Sequence, residues 1–177
     1  MYICIIYSLM THNQTPDQLL YLIQNHPNKL TLLIDTLNLL KSKNGFEQDL
    51  LTPGFIKEWL VSDILGHKCH KTKHGADATS MDGTEKYEYL SCKEGGSFQL
   101  DRIHEGNLHR IERNDAFFFA LFDKDNGLEC LKIWKSSTPR VLAECQDKIR
   151  TMSQSSNHVC ISKKWVNDNC ELVYEKN

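Results

Sequence analysis

No stretch of the sequence is both long and apolar enough to cross a bilayer. Its longest mainly apolar run, the opening MYICIIYSLM, has ten residues, whereas a spanning helix needs ~20. This run has no basic residues before it and no small-residue cleavage site after it, so we do not expect a secretory signal peptide. The sequence therefore predicts no membrane partner.

Motifs of several common enzyme classes are also missing. The sequence contains no P-loop, no G-x-S-x-G nucleophile elbow and no H-E-x-x-H zinc motif. It has no CxxC pair either, and its cysteines are odd in number, seven, and widely spread. This pattern is typical of reduced thiols in an intracellular, cytoplasmic protein, and it argues against a secreted disulfide framework.

The charge balance gives no general sign of a polyanionic partner. The formal net charge is -2, so contact with nucleic acid would have to come from a local basic patch. With 177 residues, of which 40% are hydrophobic, the chain is long enough for one globular domain with a sizeable core.

Helical patterns dominate the first third of the chain. The sequence predicts a short helix after Pro16 and a leucine-dense helix that ends near Gly45. A third helix should start with Thr52 as its N-cap and Pro53 as its first residue, and should end at Gly66.

Strand-like runs follow from residue 75 onward. Asn126 and Gly127 predict a hairpin turn between two of these runs, and the segment Asn167–Asn169 suggests another near the C-terminus. One helix should interrupt the strands after Ser137. The order of elements predicts an α+β fold, with a mixed sheet flanked by helices. The strand-like runs are GADATSM, KYEYLSC, SFQLDRI, AFFFALF, LECLKIW, HVCISKKW and CELVY.

The segment GADATSMDGTEKYEYLSCK, residues 75–93, carries the most informative chemistry. Asp77 precedes a turn at Asp82-Gly83, and Glu88 follows on a strand. Alternation along this strand places Lys86, Glu88, Leu90 and Cys92 on one face and Tyr87, Tyr89, Ser91 and Lys93 on the other. Carboxylates that converge from such a hairpin suit a hard divalent cation, as phosphodiester hydrolysis requires.

At these residues the sequence resembles the PD-(D/E)XK nuclease superfamily, particularly small dimeric type II restriction endonucleases with a "GxDA…G…YE" segment. The resemblance covers roughly residues 54 to 174. It implies a restriction-endonuclease-like fold and Mg²⁺-dependent cleavage of specific double-stranded DNA sites by a homodimer. The length predicts a single domain. Within it, the leucine-dense helix makes residues 1–50 a candidate helical dimerisation region, and the resemblance assigns residues 51–177 to the nuclease core.

Two positions depart from the family pattern. Ala76 replaces the motif proline, and Leu90 stands where the catalytic lysine is expected. In one interpretation, Ser91 and Lys93 form a Ser-x-Lys motif, and Glu105 or Glu88 supplies the second carboxylate. In the other, a bulge turns Lys93 toward the face of Glu88. Both interpretations make Asp77 and Lys93 catalytic.

Glu58, on the third predicted helix, is a further candidate metal ligand. Family members often contribute an accessory acid from a helix before the catalytic aspartate. The alternative is a position on a solvated helix face, which is the commoner outcome for a helical glutamate.

Candidate DNA contacts flank this segment. Three lysines in the stretch 67–74 could neutralise phosphates; the alternative is a solvated basic loop, and zinc binding there lacks a second ligand pair. Gln99, Arg102 and His104 are candidate base or phosphate readers, and two arginines are candidate phosphate contacts. Nearby acids allow a salt-bridged surface instead. The lysines and phosphate-contacting arginines are Lys68, Lys71, Lys73, Arg110 and Arg113.

Two other functions compete with the endonuclease hypothesis. The Leu90 departure allows a catalytically degenerate nuclease-fold protein that binds DNA without cutting it. The net acidity and the leucine-dense second helix allow a non-enzymatic α+β interaction protein.

Overall fold

The computed structural model describes residues 28–47, 50–52, 54–70, 75–151 and 158–176. The chain divides into two compact units, Met1–Leu50 and Leu51–Asn177. In the first unit the described helix is α1 (Lys29–Asn44), which Asn28 caps by accepting a hydrogen bond from the Thr31 amide at 3.0 Å. It ends at Gly45, as predicted. The helix predicted after Pro16 lies outside the described residues.

The sequence predicted two of the four described helices of the second unit, and its strand assignment for the run HVCISKKW is wrong from Lys163 onward, where a helix begins. The four helices are α2 (Phe55–Leu65), α3 (His109–Glu112), α4 (Thr138–Thr151) and α5 (Lys163–Asn169), with a 3₁₀ turn at Glu105–Asn107. Helix α2 ends before Gly66, as expected. Its predicted start is wrong, because Gly54 and not Thr52 is the N-cap. Gly54 has a φ of 90°, a conformation that favours glycine, so the chain turns there before the helix begins.

A mixed sheet of six strands and a two-stranded ribbon complete the second unit. The sheet order is β1-β2-β3-β5-β6-β8, with β3 and β5 parallel and the other neighbours antiparallel. The predicted α+β class, with a mixed sheet flanked by helices, is confirmed. The strands are β1 (Lys68–Cys69), β2 (Ala78–Thr79), β3 (Lys86–Lys93), β4 (Phe98–Asp101), β5 (Ala116–Phe122), β6 (Cys130–Ser137), β7 (His158–Ile161) and β8 (Glu171–Glu175).

Of the two hairpin turns predicted at Asn126-Gly127 and at Asn167–Asn169, the first is confirmed and the second is wrong. Strands β5 and β6 pair across the Asn126-Gly127 turn. The segment Asn167–Asn169 is instead the end of α5, whose N-cap Ser162 accepts a hydrogen bond from the Trp165 amide at 3.1 Å. The strands on either side of α5 therefore do not pair with each other: β7 pairs with β4, and β8 pairs with β6.

Two hydrophobic clusters cover opposite faces of the central strands. On one face, Val61 of α2 packs with Tyr87 of β3 and Phe118 of β5. On the other face, the ribbon and α4 pack over Leu90 and Phe119. Alternation along β3 therefore divides its side chains between two different environments.

The described cysteines are free thiols. They are Cys69, Cys92, Cys130, Cys145, Cys160 and Cys170. Burial raises the pKa of the Cys92 and Cys130 thiols to about 11, which keeps them protonated at neutral pH. Among the described helices, none combines the length and apolar character that crossing a membrane requires.

Candidate functional site

Side chains from several elements of the second unit line one open cleft. Its volume is about 190 Å³. The polar residues that line it are Glu58, Asp77, Glu88, Gln99, Asp101, Arg110, Arg113 and Asn114.

The backbone of the β2–β3 hairpin fixes Asp77 in this cleft. The Asp77 amide donates to the Tyr87 carbonyl at 3.0 Å, and its carbonyl accepts from the His70 amide at 2.8 Å. Its side-chain Oδ2 accepts a hydrogen bond from the Tyr89 amide at 2.8 Å. Because all three partners are backbone groups, the orientation of the carboxylate does not depend on a mobile side chain.

The turn of this hairpin forms where the sequence predicts it. Asp82 Oδ1 accepts hydrogen bonds from the Ser80 hydroxyl at 2.5 Å and the Thr84 amide at 3.1 Å. Gly83 has a φ of 78°, which favours glycine at this position. The turn therefore joins Asp77 and Glu88 through a rigid connection.

Glu88 enters the cleft from the face of β3 that packs toward the ribbon. Its Oε2 accepts a hydrogen bond from Asn114 Nδ2 at 3.3 Å. Asn114 Nδ2 also donates to the Arg110 backbone carbonyl at 3.4 Å, and the backbone carbonyl of Asn114 accepts from Thr138 Oγ1 at 2.6 Å. Asn114 is only 3% exposed, so it holds Glu88 from a fixed position.

Sequence reasoning missed Asn114. It lies 26 residues after Glu88 in the chain, and no motif links the two positions. Only the parallel pairing of β3 with β5, which begins just after Asn114, brings them together. An isolated asparagine before a strand carries no local signal of this role.

The surroundings of the two carboxyl groups disfavour their ionised forms. Burial raises the pKa of Asp77 above its ordinary value. Burial also raises the pKa of Glu88, and the nearby negative charge of Asp77 raises it further. The Arg113 guanidinium opposes both shifts. Desolvated carboxylates with a shared neighbourhood are a common feature of cation and catalytic sites.

The positive charge of the cleft comes from the short helix α3 and its C-cap. Arg113 donates a hydrogen bond to the Gly75 carbonyl at 3.1 Å, which anchors it beside the loop that carries Asp77. Arg110 donates to the Arg102 carbonyl at 3.4 Å. The structure thus brings both arginines, predicted as phosphate contacts, together with the predicted carboxylates.

The predicted lysine does not join this group. The β3–β5 ladder runs without interruption from Tyr87 to Lys93, so the hypothesis of a bulge in β3 is wrong. Strand alternation places Lys93 and the exposed Ser91 on the opposite face from Glu88. A Cβ atom added to Gly127 would lie only 2.7 Å from the Lys93 Cε, which locates this side chain at the β5–β6 turn.

Leu90 occupies the position that a lysine would need. It shares a face with Glu88, lines the cleft and is 6% exposed. The lysine expected at this position of β3 is therefore absent from the cleft, and Arg113 is the cleft-lining cation that acts on both carboxylates.

The two other candidate acids differ in position. Glu58 lines the cleft from α2, whereas Glu105 lies exposed in the 3₁₀ turn and is not among the cleft residues.

Within the described residues, no group of three or more His, Cys, Asp or Glu side chains is arranged to hold a metal ion. Mg²⁺ usually takes one or two carboxylates and completes its shell with waters and substrate phosphates. The pair of Asp77 and Glu88 fits that requirement.

The remaining candidate DNA contacts are dispersed. Gln99 lines the cleft from β4. Arg102, at a φ of 56°, and His104 are exposed in the turn after β4. Lys68 is exposed in β1, and Lys71 and Lys73 lie outside the described residues.

His67, from the same basic stretch, packs against aromatic side chains of β3. Its Nδ1 shares a hydrogen bond of 2.7 Å with the Tyr89 hydroxyl. Its ring centroid lies 4.4 Å from that of Tyr87. The histidine therefore belongs to the aromatic cluster beneath α2 rather than to the charged surface.

No protein-family model matches this chain, and no curated protein sequence is significantly similar to it. The functional argument therefore depends on the residues of the cleft themselves.

Proposed function

We propose that this protein is a Mg²⁺-dependent endonuclease of the PD-(D/E)XK type, which hydrolyses phosphodiester bonds at specific double-stranded DNA sites. One observation carries the proposal: Asp77 and Glu88, both desolvated, line one cleft with Arg113, which comes from a separate part of the chain. Carboxylates for a divalent cation and a guanidinium for phosphate are the groups that this reaction requires.

Asp77 and Glu88 are the residues that would hold Mg²⁺, with Glu58 as an additional acid of the cleft. When bound, the cation would neutralise phosphate charge and lower the pKa of a water molecule that attacks phosphorus. Tyr89, through its amide, orients the Asp77 carboxylate. Asn114 orients Glu88 in the same way through its side-chain amide.

Arg113 takes the phosphate-binding role that the family assigns to a lysine. A guanidinium can donate two parallel hydrogen bonds to phosphate oxygens and stays charged at neutral pH. It therefore stabilises developing negative charge but does not accept a proton. Arg110, which lines the same cleft, supplies a second positive charge toward the neighbouring phosphate.

Plasmid cleavage tests this function. Wild-type protein with Mg²⁺ should convert a sequence-diverse plasmid into discrete fragments. Asp77→Ala should abolish cleavage while DNA binding persists, because the arginines remain. Glu105→Gln, which removes an exposed carboxylate outside the cleft, serves as the matched control and should cut normally. Wild-type protein that binds DNA and never cuts it would refute the enzymatic step.

A catalytically degenerate nuclease-fold protein is the second candidate. The observation in its favour is the buried Leu90 beside Glu88, together with Lys93 on the opposite face of β3. Sequence-selective binding without Mg²⁺-dependent cleavage would support it. The absence of any salt-dependent DNA affinity would support a non-enzymatic interaction protein instead.

We also infer that the protein acts as a cytoplasmic homodimer. A palindromic site presents the same base edges twice, so two copies related by a two-fold axis can each cut one strand. Helix α1 exposes Leu33 and Ile34, at 54% and 47%, and exposed apolar side chains at adjacent positions suit a subunit interface.

A further inference from the structure

Strands β4 and β7 form a two-stranded antiparallel ribbon separate from the six-stranded sheet. The inner face of this ribbon is anchored in the hydrophobic core. Phe98 and Leu100 from β4 and Val159 and Ile161 from β7 are all at most 7% exposed. The ribbon is therefore a rigid platform, and its outer face has a defined orientation.

The outer face of β4 carries Gln99 and Asp101. Both side chains are exposed, and both line the same cleft as Asp77 and Glu88. Their cross-strand partners on β7 are Cys160 and His158. The polar edge of the ribbon thus borders the proposed cleavage site.

The polar atoms of Gln99 and Asp101 remain available for an external partner. Within the part of the chain that the structure describes, neither side chain makes a hydrogen bond or an ion pair. By contrast, Asp123 uses its carboxylate to accept the amides of Asp125 and Asn126 in a turn. Gln99 and Asp101 stabilise no comparable local structure.

The dimensions of the ribbon match those of duplex DNA. The major groove is ~12 Å wide and admits a two-stranded β-ribbon. Residues i and i+2 of a strand are separated by ~6.6 Å, close to two steps of ~3.4 Å along a DNA strand. Gln99 and Asp101 can therefore meet base pairs two steps apart.

The charge of Asp101 discriminates between two kinds of DNA contact. A carboxylate repels phosphates, so it weakens sequence-independent binding. It can, however, accept a hydrogen bond from the N4 amine of cytosine, and a glutamine amide can pair with the N6 and N7 edge of adenine. An acid beside a DNA cleft is consistent with base reading and is unfavourable for backbone binding.

We propose that the β4–β7 ribbon is the sequence-reading element of this protein, in which Gln99 recognises adenine and Asp101 recognises cytosine through the major groove. This inference rests on the proposed function, because it takes duplex DNA as the substrate, and it adds the chemical identity of two base pairs in the site.

Selection from a pool of random DNA duplexes tests the ribbon without requiring cleavage. Bound duplexes are separated in buffer without divalent cations and sequenced. The wild type should enrich a motif with an A·T pair and a C·G pair two steps apart. Asp101→Asn should lose about tenfold of the preference at the C·G pair, and it should bind non-cognate duplexes more tightly because a repulsive charge is gone. Gln99→Ala should lose the preference at the A·T pair.

Asp168→Asn is the matched control, since it makes the same chemical change at an exposed position of α5 and should leave the motif unchanged. Unchanged melting temperatures would show that all three variants fold. If both ribbon variants enrich the wild-type motif, the ribbon proposal is overturned, while intact plasmid cleavage leaves the endonuclease standing. A wild-type motif without Mg²⁺-dependent cleavage supports the ribbon and refutes the nuclease step. No wild-type DNA binding overturns both.

Discussion

At the scale of single residues, the cleft places two carboxyl groups where water solvates them poorly. Asp77 is held by backbone groups and Glu88 by Asn114, so hydrogen bonds fix both carboxyl groups in the cleft. Burial raises the pKa of both groups, and the charge of Asp77 adds to the shift at Glu88, so a bound divalent cation would favour the ionised form of each. The burial of the ionised Glu88 carboxylate should also have a measurable effect on the stability of the cation-free protein.

Glu88→Gln should stabilise the cation-free protein at pH 8. Burial raises the pKa of Glu88 in the folded protein, whereas the unfolded chain ionises near pH ~4.3. The folded state therefore binds the proton more tightly, and this stabilisation is complete below pH ~4 and is lost as the pH rises through the folded pKa. In EDTA at pH 8, the variant should melt at least ~2 °C above wild type. At pH 4, where Glu88 is protonated, the two proteins should melt at the same temperature.

An exposed carboxylate supplies the control for this experiment. Glu105→Gln should leave the melting temperature unchanged at both pH values. If Glu88→Gln melts below wild type at pH 8, the carboxylate stabilises the fold as an ion, and the electrostatic argument is wrong.

Arg113→Met should lower Mg²⁺-dependent cleavage by ~100-fold, the usual effect of removing one donor to a developing oxyanion. Lys93→Met should leave cleavage about unchanged, since Lys93 lies on the opposite face of β3. Single-turnover cleavage rates measure both effects. The reverse ranking, with Lys93 essential and Arg113 dispensable, would restore the Ser-x-Lys interpretation.

At the scale of elements, β3 connects the site to the core. Its alternate side chains enter two environments, so any shift of one residue would exchange Glu88 for a buried tyrosine. The parallel partner β5 prevents such a shift, because its phenylalanines are buried on both faces of the sheet. The site geometry therefore depends on the packing of β5.

Phe119→Ala, in the middle of β5, should destabilise the protein by ~3–5 kcal/mol. Phe119 is fully buried and contacts Phe98 of the ribbon, with ring centroids 5.2 Å apart. Leu172→Ala, on the exposed strand β8, is the control and should change stability by less than ~0.5 kcal/mol. Urea unfolding measures both. A small effect at Phe119 would contradict the packing described for this face.

At the scale of the whole molecule, the chain forms two compact units, and the entire cleft belongs to the second. The apolar surface of α1 belongs to the first unit. This division separates the proposed chemistry from the proposed assembly, so each can be disrupted without altering residues of the other.

Leu33→Asp combined with Ile34→Asp should convert a dimer into a monomer, since both side chains are exposed on α1 and charge is unfavourable in an apolar interface. Light scattering gives the mass, with and without DNA. Asn38→Asp combined with Ser42→Asp adds the same charge to exposed positions of the same helix and should remain dimeric. A monomeric wild-type protein in the presence of DNA would contradict the dimer.

Local signals in the sequence were sufficient for most of the elements. Glycines mark the ends of α1 and α2, Asn126-Gly127 marks one hairpin, and alternation assigns the two faces of β3. These features involve residues within a few positions of each other, which is why they are readable without the fold. The prediction of a turn at Asn167–Asn169 was wrong because a competing local signal, the Ser162 helix cap, starts a helix that includes these residues.

The sequence by itself determined the α+β class, the hairpin that carries Asp77 and Glu88, and the absence of a lysine two positions after Glu88. Only the tertiary structure decided that Arg113 and Asn114 share the cleft with these carboxylates, that Lys93 does not, and that β4 pairs with β7. The physical reason is distance along the chain: these contacts join residues tens of positions apart, and they exist only because strands and helices pack on a common core.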